Sequence, residues 1–322
     1  MKIKETLKTE SPNNYRILAI LPVVMNSIIF FQMAYLIPLA YIFGFSFGIM
    51  LLLEFLLYKK WTLLIKDSLI LIFHSFVLSL IIPQNIPANS VWISAMLMSG
   101  AFYIQIKSGY KLFSPPLIGF IYILFMFNSN FYFPQVSNVL ERYSNVFPDV
   151  MSSSTPYTQY FKNGVEYEAR QIFAGIIMGT PSEIFIFSIL IGFYLLAIRF
   201  IISFRIVITA ILSYIAAAAI VYLFKIHAYD KMTIQSLWYF LLITPAIFTL
   251  TFLIDDGFIT PSTNKGKFFY GALFGLLSLS LKVIFGIASC DAYLILLLLP
   301  IIKIPELIIL KKNKTQILES NE

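Results

Sequence analysis

The sequence predicts an all-α polytopic membrane protein of about ten transmembrane helices, in an order that permits two inverted five-helix halves. Three observations carry this reading. Apolar residues make up 59% of the 322 and charged residues 12%, against roughly 45–50% and ~25% in ordinary soluble proteins. So few charges cannot cover a soluble domain of this size, and the mean hydropathy is +0.84. The apolar residues also fall in runs of roughly 17–21, close to the ~20 that a helix needs to cross a bilayer.

Taken in order, residues 1–16 are polar and are expected in the cytoplasm. They lack the early apolar core and cleavage site of a signal peptide. Spans at 17–34, 37–57, 67–83, 90–106 and 115–133 form a first half, 17–133. The loop 134–182 follows, and it alone has room for substantial chemistry outside the membrane. Spans at 183–201, 204–224, 236–254, 268–286 and 291–310 form a second half, 183–310, and 311–322 is a cytoplasmic tail. Five spans on each side of the loop send the second half in from the opposite face, which is what an inverted repeat requires.

Lysine and arginine orient the chain. With the N-terminus inside, 17 of the 23 basic residues lie in inside segments and five (Arg142, Lys162, Arg170, Lys225 and Lys231) lie outside. Positively charged segments stay in the cytoplasm. The chain is therefore expected in the cell's inner membrane, with both termini in the cytoplasm and the long loop outside. Trp61, Trp92 and Trp238 fall near span ends, where interfacial aromatics sit.

Several functions drop out. Cys290 is the only cysteine, so the chain alone offers no intrachain disulfide, no zinc site built on cysteines and no iron–sulfur cluster. Two histidines, His74 and His227, do not suggest multiple haems. There is no GxxxxGK[ST] loop and no GxGxxG fingerprint. The net charge of +7 fits cytoplasmic loops and contact with lipid, not nucleic acid.

The long loop contains Asp149-Val150-Met151-Ser152-Ser153-Ser154-Thr155-Pro156. Hydroxyl-rich tracts with proline are ordinarily flexible linkers. The other reading is a modification site, in which the Thr155 hydroxyl is joined to a phosphate through an ester. Glu54, Glu183, Lys282 and Asp291 lie within or at the ends of spans. A charge at the bilayer centre costs roughly 2.5–3.5 kcal/mol on insertion scales and needs a partner or a wet cavity. Glu54 and Asp291 read as snorkelling at the interface. Glu183 stands at a helix start, where a carboxylate is favoured, and Lys282 lies deeper in its span. His74 reads as packing within the third span, Cys290 as having no redox role, and the 262–267 segment as a solvated turn.

The octapeptide resembles the Asp-x-x-Ser-Gly-Ala-Thr-Pro signature of the flavinylated membrane subunits of ion-pumping redox complexes. These are RnfD, of the Rnf electron-transport complex, and its homologue NqrB, of the sodium-pumping NADH:quinone reductase. Asp149, Ser152, Thr155 and Pro156 match, while Ser153 and Ser154 replace Gly and Ala. The resemblance runs from about Arg16 to Leu310. It includes Glu54 and its lysine-rich turn, Ile65-Lys66-Asp67, and the turn from Pro83 to Trp92. In the second half Gly179-Thr180-Pro181-Ser182-Glu183 is similar to Gly-Ser-Ile-Gly-Glu, and Ser203-Phe204-Arg205-Ile206 to Ser-Trp-Arg-Ile. Asp256 to Lys267, then Tyr270-Gly271-Ala272-Leu273, Gly275 and Lys282, continue the series. Before the fifth span the family's Gly-rich turn and Asn-Pro-Ala are replaced by Ser108 to Pro116.

The resemblance implies a flavin-carrying subunit of an Rnf-type ion-translocating oxidoreductase, incomplete as an enzyme by itself. It implies FMN esterified to Thr155, with Asp149, Ser152, Ser153 and Ser154 as the flavinylation motif, and places Glu183 and Lys282 as candidate flavin contacts. A second, non-covalent riboflavin occurs in the family. Implied partners are an extracytoplasmic FMN subunit, iron–sulfur subunits, small membrane subunits and a flavin transferase. Electron flow would be coupled to Na⁺ or H⁺ movement. The quinone-reductase homologue usually has a longer N-terminal extension, so the Rnf side is expected. A flavin-free transporter or channel, or a scaffold without cofactor, are the other readings of the same architecture.

Overall fold

In lipid, only helices and closed barrels satisfy their backbone polar groups internally. The computed structural model describes residues 12–59, 65–83, 86–127, 167–175, 177, 179–223, 242, 244–256, 260–285 and 290–319. Its regular elements are all helical, with no strand among the described residues. The first half holds α1 (Pro12–Phe31), α2 (Met33–Tyr58), α3 (Ile65–Ile81), α4 (Ala88–Ser108) and α5 (Pro115–Phe127). After the long loop come α6 (Ala169–Ala174), α7 (Pro181–Ile184), α8 (Ile186–Ile198) and α9 (Phe204–Leu223). A short α10 (Ala246–Phe248) runs into a π-helical turn, Thr249–Leu253, followed by α11 (Asn264–Phe285) and α12 (Cys290–Glu319).

Three helices are long and apolar enough to cross a membrane: Pro12–Phe31, Met33–Tyr58 and Phe204–Val221. Shorter apolar helices run Asp67–Ile81, Pro115–Met126 and Ile186–Ile198. Among the described residues, length and composition thus pick out fewer than the ten expected spans. One reason is visible in α4, whose inward face carries Ser90, Ser94, Ser99 and Gln105, all buried. In α11 and α12 the buried Lys282, Asp291 and Glu306 are likewise polar groups directed at neighbours. Phe125 and Phe200, more than four-fifths exposed, suit lipid contact and not water.

Boundaries differ from expectation at several points: α1 begins at Pro12, before the expected 17, and α12 continues to Glu319, through most of the segment 311–322 expected as a tail. A single residue, Gln32, separates α1 from α2, at φ 48°. The amide of Leu36 already bonds back to the Gln32 carbonyl, so the second helix starts within one residue of the first. The expected span 183–201 is two pieces, because Phe185 (φ −91°, ψ 52°) interrupts it between α7 and α8. Local chemistry accounts for other ends. Gly109 closes α4 in the left-handed region (φ 74°), and Pro115 opens α5 where no amide is needed. Between them the Gln105 side chain accepts from the amides of Leu112 (2.8 Å) and Phe113 (3.0 Å) and donates to the Phe113 carbonyl (3.0 Å).

The helices pair in a repeated order. In the first half α1 packs on α3, α2 on α4, and α4 on α5. In the second, α8 packs on α10 and the π-turn, α9 on α11, and α11 on α12. Contact between α1 and α8 joins the halves. There Gly192 lies so close that a Cβ would meet the Ala19 carbonyl oxygen and the Phe252 ring. The tightest pair is α9 with α11. Gly271 sits on Thr209 and the Ile206 carbonyl, and Gly275 on Ser213 and the Ala210 carbonyl. Two glycines four apart let the backbones touch, which is how helices associate where lipid removes the hydrophobic drive.

Gly275→Leu should therefore push α9 from α11. Overpacking of this kind costs typically about 1–3 kcal/mol. The expected result is a lower unfolding temperature in detergent, whereas Gly44→Leu, which meets open space, should leave it nearly unchanged.

Candidate functional site

The residues that carry the flavinylation-like motif, Asp149, Ser152, Ser153, Ser154 and Thr155, lie outside the described residues. What the structure defines is the ground on which the long loop ends. Glu168 and Gln171 start α6, and Gly175 (φ 73°) ends it. Beyond it Thr180 caps α7, with Pro181 at its first position. The Glu183 carboxylate reaches back to accept the Thr180 amide at 3.1 Å, the return arm of a capping box. The Thr180 and Ser182 hydroxyls bond each other at 2.8 Å. All three side chains are buried. Glu183 thus closes the turn that leads out of the loop.

Lys282 and Asp291 form a second centre. The Lys282 ammonium lies 2.7 Å from Asp291 Oδ2, and both side chains are essentially inaccessible. Lys282 also donates to Ser278 Oγ (3.0 Å), and that hydroxyl donates to Asp291 Oδ1 (2.5 Å). Cys290 Sγ sits 3.8 Å from the same oxygen. Glu183 is within electrostatic reach of Lys282. Asp291 is therefore no snorkelling interfacial residue, because a deep charge is held by a deep counter-charge. Lys282 and Glu183 both have polar partners within the chain.

Glu54 keeps its interfacial character. It pairs with Lys107 at 2.9 Å and accepts from the Tyr103 hydroxyl at 3.1 Å. Lys107 lies over the Tyr58 ring and is about one-third exposed. Solvent screens such a pair, and its contribution to stability is small.

A third centre was not legible as such in the sequence. Arg16, expected in a polar cytoplasmic segment, is buried in α1 within electrostatic reach of Asp255 and Asp256. Both aspartates are buried just after the π-turn. Asp255 accepts from the Ser203 amide (2.6 Å) and from the Thr260 hydroxyl. His74 Nε2 lies 3.7 Å from Asp256 Oδ2. The turn that follows is anchored, not simply solvated. Glu306 accepts from the Ser262 amide (2.9 Å) and hydroxyl (3.0 Å), the Thr263 amide (3.1 Å) and the Thr263 hydroxyl. One available signal was the run of two adjacent aspartates at the end of an apolar span, which lipid would not tolerate without partners. No group of three or more metal-ligating side chains occurs among the described residues.

The family model described as "NQR2, RnfD, RnfE family" matches residues 2–304. The chain is similar to the NqrB subunit of the Na(+)-translocating NADH-quinone reductase of Yersinia pestis, at 28% identity over 225 residues. That match covers 65% of this chain and 51% of the relative. The same subunit of Klebsiella pneumoniae (strain 342) is 26% identical over 226 residues, covering 65% and 52%. That of Ectopseudomonas mendocina (strain ymp) is 24% identical over 214 residues, also covering 65% and 52%. The chain spans about half the length of the curated relatives it matches.

Breaking a buried ion pair by removing one partner typically costs about 3–5 kcal/mol, whereas replacing both by apolar residues is often neutral. Lys282→Met should sharply lower the unfolding temperature of the purified protein. Adding Asp291→Leu should restore most of the loss. A double variant as unstable as the single one would show that the pair is not the unit that matters.

Proposed function

The chain belongs to the NQR2, RnfD, RnfE family, and on that premise we propose that it is the flavin-carrying membrane subunit of an Rnf-type ion-translocating oxidoreductase complex. The observation that carries the proposal is the coincidence of two things. The family match extends across nearly the whole chain, and Asp149 to Pro156 sets a threonine, Thr155, at the position the family's flavinylation signature uses.

In this reading FMN is held by a phosphoester to the Thr155 hydroxyl, and when bound it supplies the electron-carrying chemistry. Asp149 and Ser152 present the site to a flavin transferase, with Ser153 and Ser154 as the small neighbours that let it approach. The chain's other contribution is mechanical. Glu183 and Thr180 fix the turn where the loop re-enters the helices, and the Lys282–Asp291 pair ties together the helices behind it. Electrons would come from and go to partner subunits bearing iron–sulfur clusters and a further FMN, with Na⁺ or H⁺ moved in return. A riboflavin site remains part of the proposal without residues assigned to it. Residence in the inner membrane with both termini in the cytoplasm is supported by the distribution of lysine and arginine.

A second reading has equal support: the NqrB subunit of a sodium-pumping NADH:quinone reductase, which is what the named relatives are. Both readings place a flavin on Thr155. A flavin-free transporter of the same architecture does not.

The test is flavin fluorescence of the denatured band in a gel, after co-expression with a flavin transferase. Wild type should fluoresce and Thr155→Val should be dark. If wild type is dark while a known family member is bright in the same cells, the covalent-flavin proposal is lost.

A further inference from the structure

His74 stands nine residues beyond the start of α3, about 13 Å along the helix axis at 1.5 Å per residue. It is fully buried. Phe73 and Phe102 pack against the imidazole, with ring centroids at 5.9 and 5.3 Å. Across from Nε2 is Asp256 Oδ2 at 3.7 Å, on a carboxylate as buried as the imidazole. That separation is just beyond a direct hydrogen bond and within the reach of one small shift. A third polar group in the same region is the Tyr270 hydroxyl. It is completely buried, has no hydrogen-bond partner among the described residues, and lies within electrostatic reach of Asp256 and Asp255.

Charged groups from two other helices lie within reach. Arg16 comes from α1 and is within electrostatic reach of both aspartates. Lys303, from α12, is within reach of Asp256, Glu306 and Lys111. Several of these groups are already committed elsewhere. Asp255 is held by Ser203 and Thr260. Glu306 is held by Ser262 and Thr263, and Lys303 donates to the Lys111 carbonyl at 2.9 Å. Asp256 is the carboxylate that faces the imidazole. An isolated imidazolium among phenylalanines would be costly, but a carboxylate at this distance offsets that cost.

We propose that His74 and Asp256, with the Tyr270 hydroxyl in the same region, form a proton-binding site inside the helical bundle. The proton comes from water and forms an N–H bond at Nε2 of His74. The imidazolium so made faces the Asp256 carboxylate, and the proton returns to water when the site empties. Tyr270 adds a buried hydroxyl within electrostatic reach of Asp256, so its dipole weighs on the charge state of the pair. The site joins α3 of the first half to α11 and the post-π-turn segment of the second, so its charge state is felt by both halves. This inference stands on the geometry alone and would survive failure of the flavin proposal.

The chain has only two histidines, which makes the test direct. Full-length protein carrying His227→Gln and ¹⁵N-labelled histidine would be placed in lipid nanodiscs and its imidazole signal followed by NMR from about pH 5 to about pH 9. The signal should convert between the neutral and protonated forms. Asp256→Asn should weaken proton binding at least tenfold, moving the conversion down by one pH unit or more. Tyr270→Phe should move it at least threefold with the fold intact, and it is the deciding variant if Asp256→Asn does not fold. A His74 signal that stays in one form across the range would overturn the proposal. So would a conversion that neither variant moves.

Discussion

The apolar helices of this chain suit a medium that cannot solvate a charge, so a charge buried among them has to be answered by another part of the same molecule. The Lys282–Asp291 contact shows the constraint at its strictest. The ammonium and carboxylate are 2.7 Å apart with Ser278 bonded to both. Nine residues separate the partners in sequence, and the chain between them leaves one helix and enters the next. The pair thus fixes how α12 starts relative to the end of α11. An apolar pair of the same volume could pack there at similar stability. What the charged pair adds is a single register, because any slip leaves a buried charge without its partner.

The same constraint organises another region of the bundle in a different way. Arg16, His74, Asp255, Asp256 and Glu306 come from α1, α3, the segment after the π-turn and α12. The amide of Ser203 and the hydroxyls of Thr260, Ser262 and Thr263 complete the set. Backbone amides do much of this work. Glu306 takes two of them from the turn before α11, which the helix itself leaves without partners. The π-turn Thr249–Leu253 lies directly before the two aspartates. Such turns recur at functional sites because they re-aim the residues that follow.

Between these polar centres the helices are joined by close approach. Where glycine removes the side chain, one backbone can lie on another and dispersion accumulates. Gly192 does this between the halves, and Gly271 with Gly275 does it within the second half. Backbone contact and buried charge together hold the helices to one another. That suits a protein whose proposed cofactor hangs from a loop, since the redox group needs a fixed base. Glu183 and Thr180 close the turn at which the loop returns to the helices.

Composition pointed to a membrane protein, with 59% apolar and 12% charged residues, and the apolar runs of about 20 residues pointed to helices. Apolar runs placed several of the helices, such as 65–81 and 88–108, to within a few residues, since that pattern is local. The threonine motif and the ordered family resemblances were also legible, being contiguous in sequence. Partnership was not. Gly44 and Gly48 have the same spacing as Gly271 and Gly275, yet the first pair meets open space and the second a neighbouring backbone. By sequence Asp291 is an interfacial acid and Arg16 a polar leader residue, and both are buried against charges from elsewhere. His74 reads as packing until α3 is set against the segment holding Asp256. Sequence states which charges must be answered in lipid. Only the tertiary structure decides which residue answers each, because that depends on distances between segments that share no local signal.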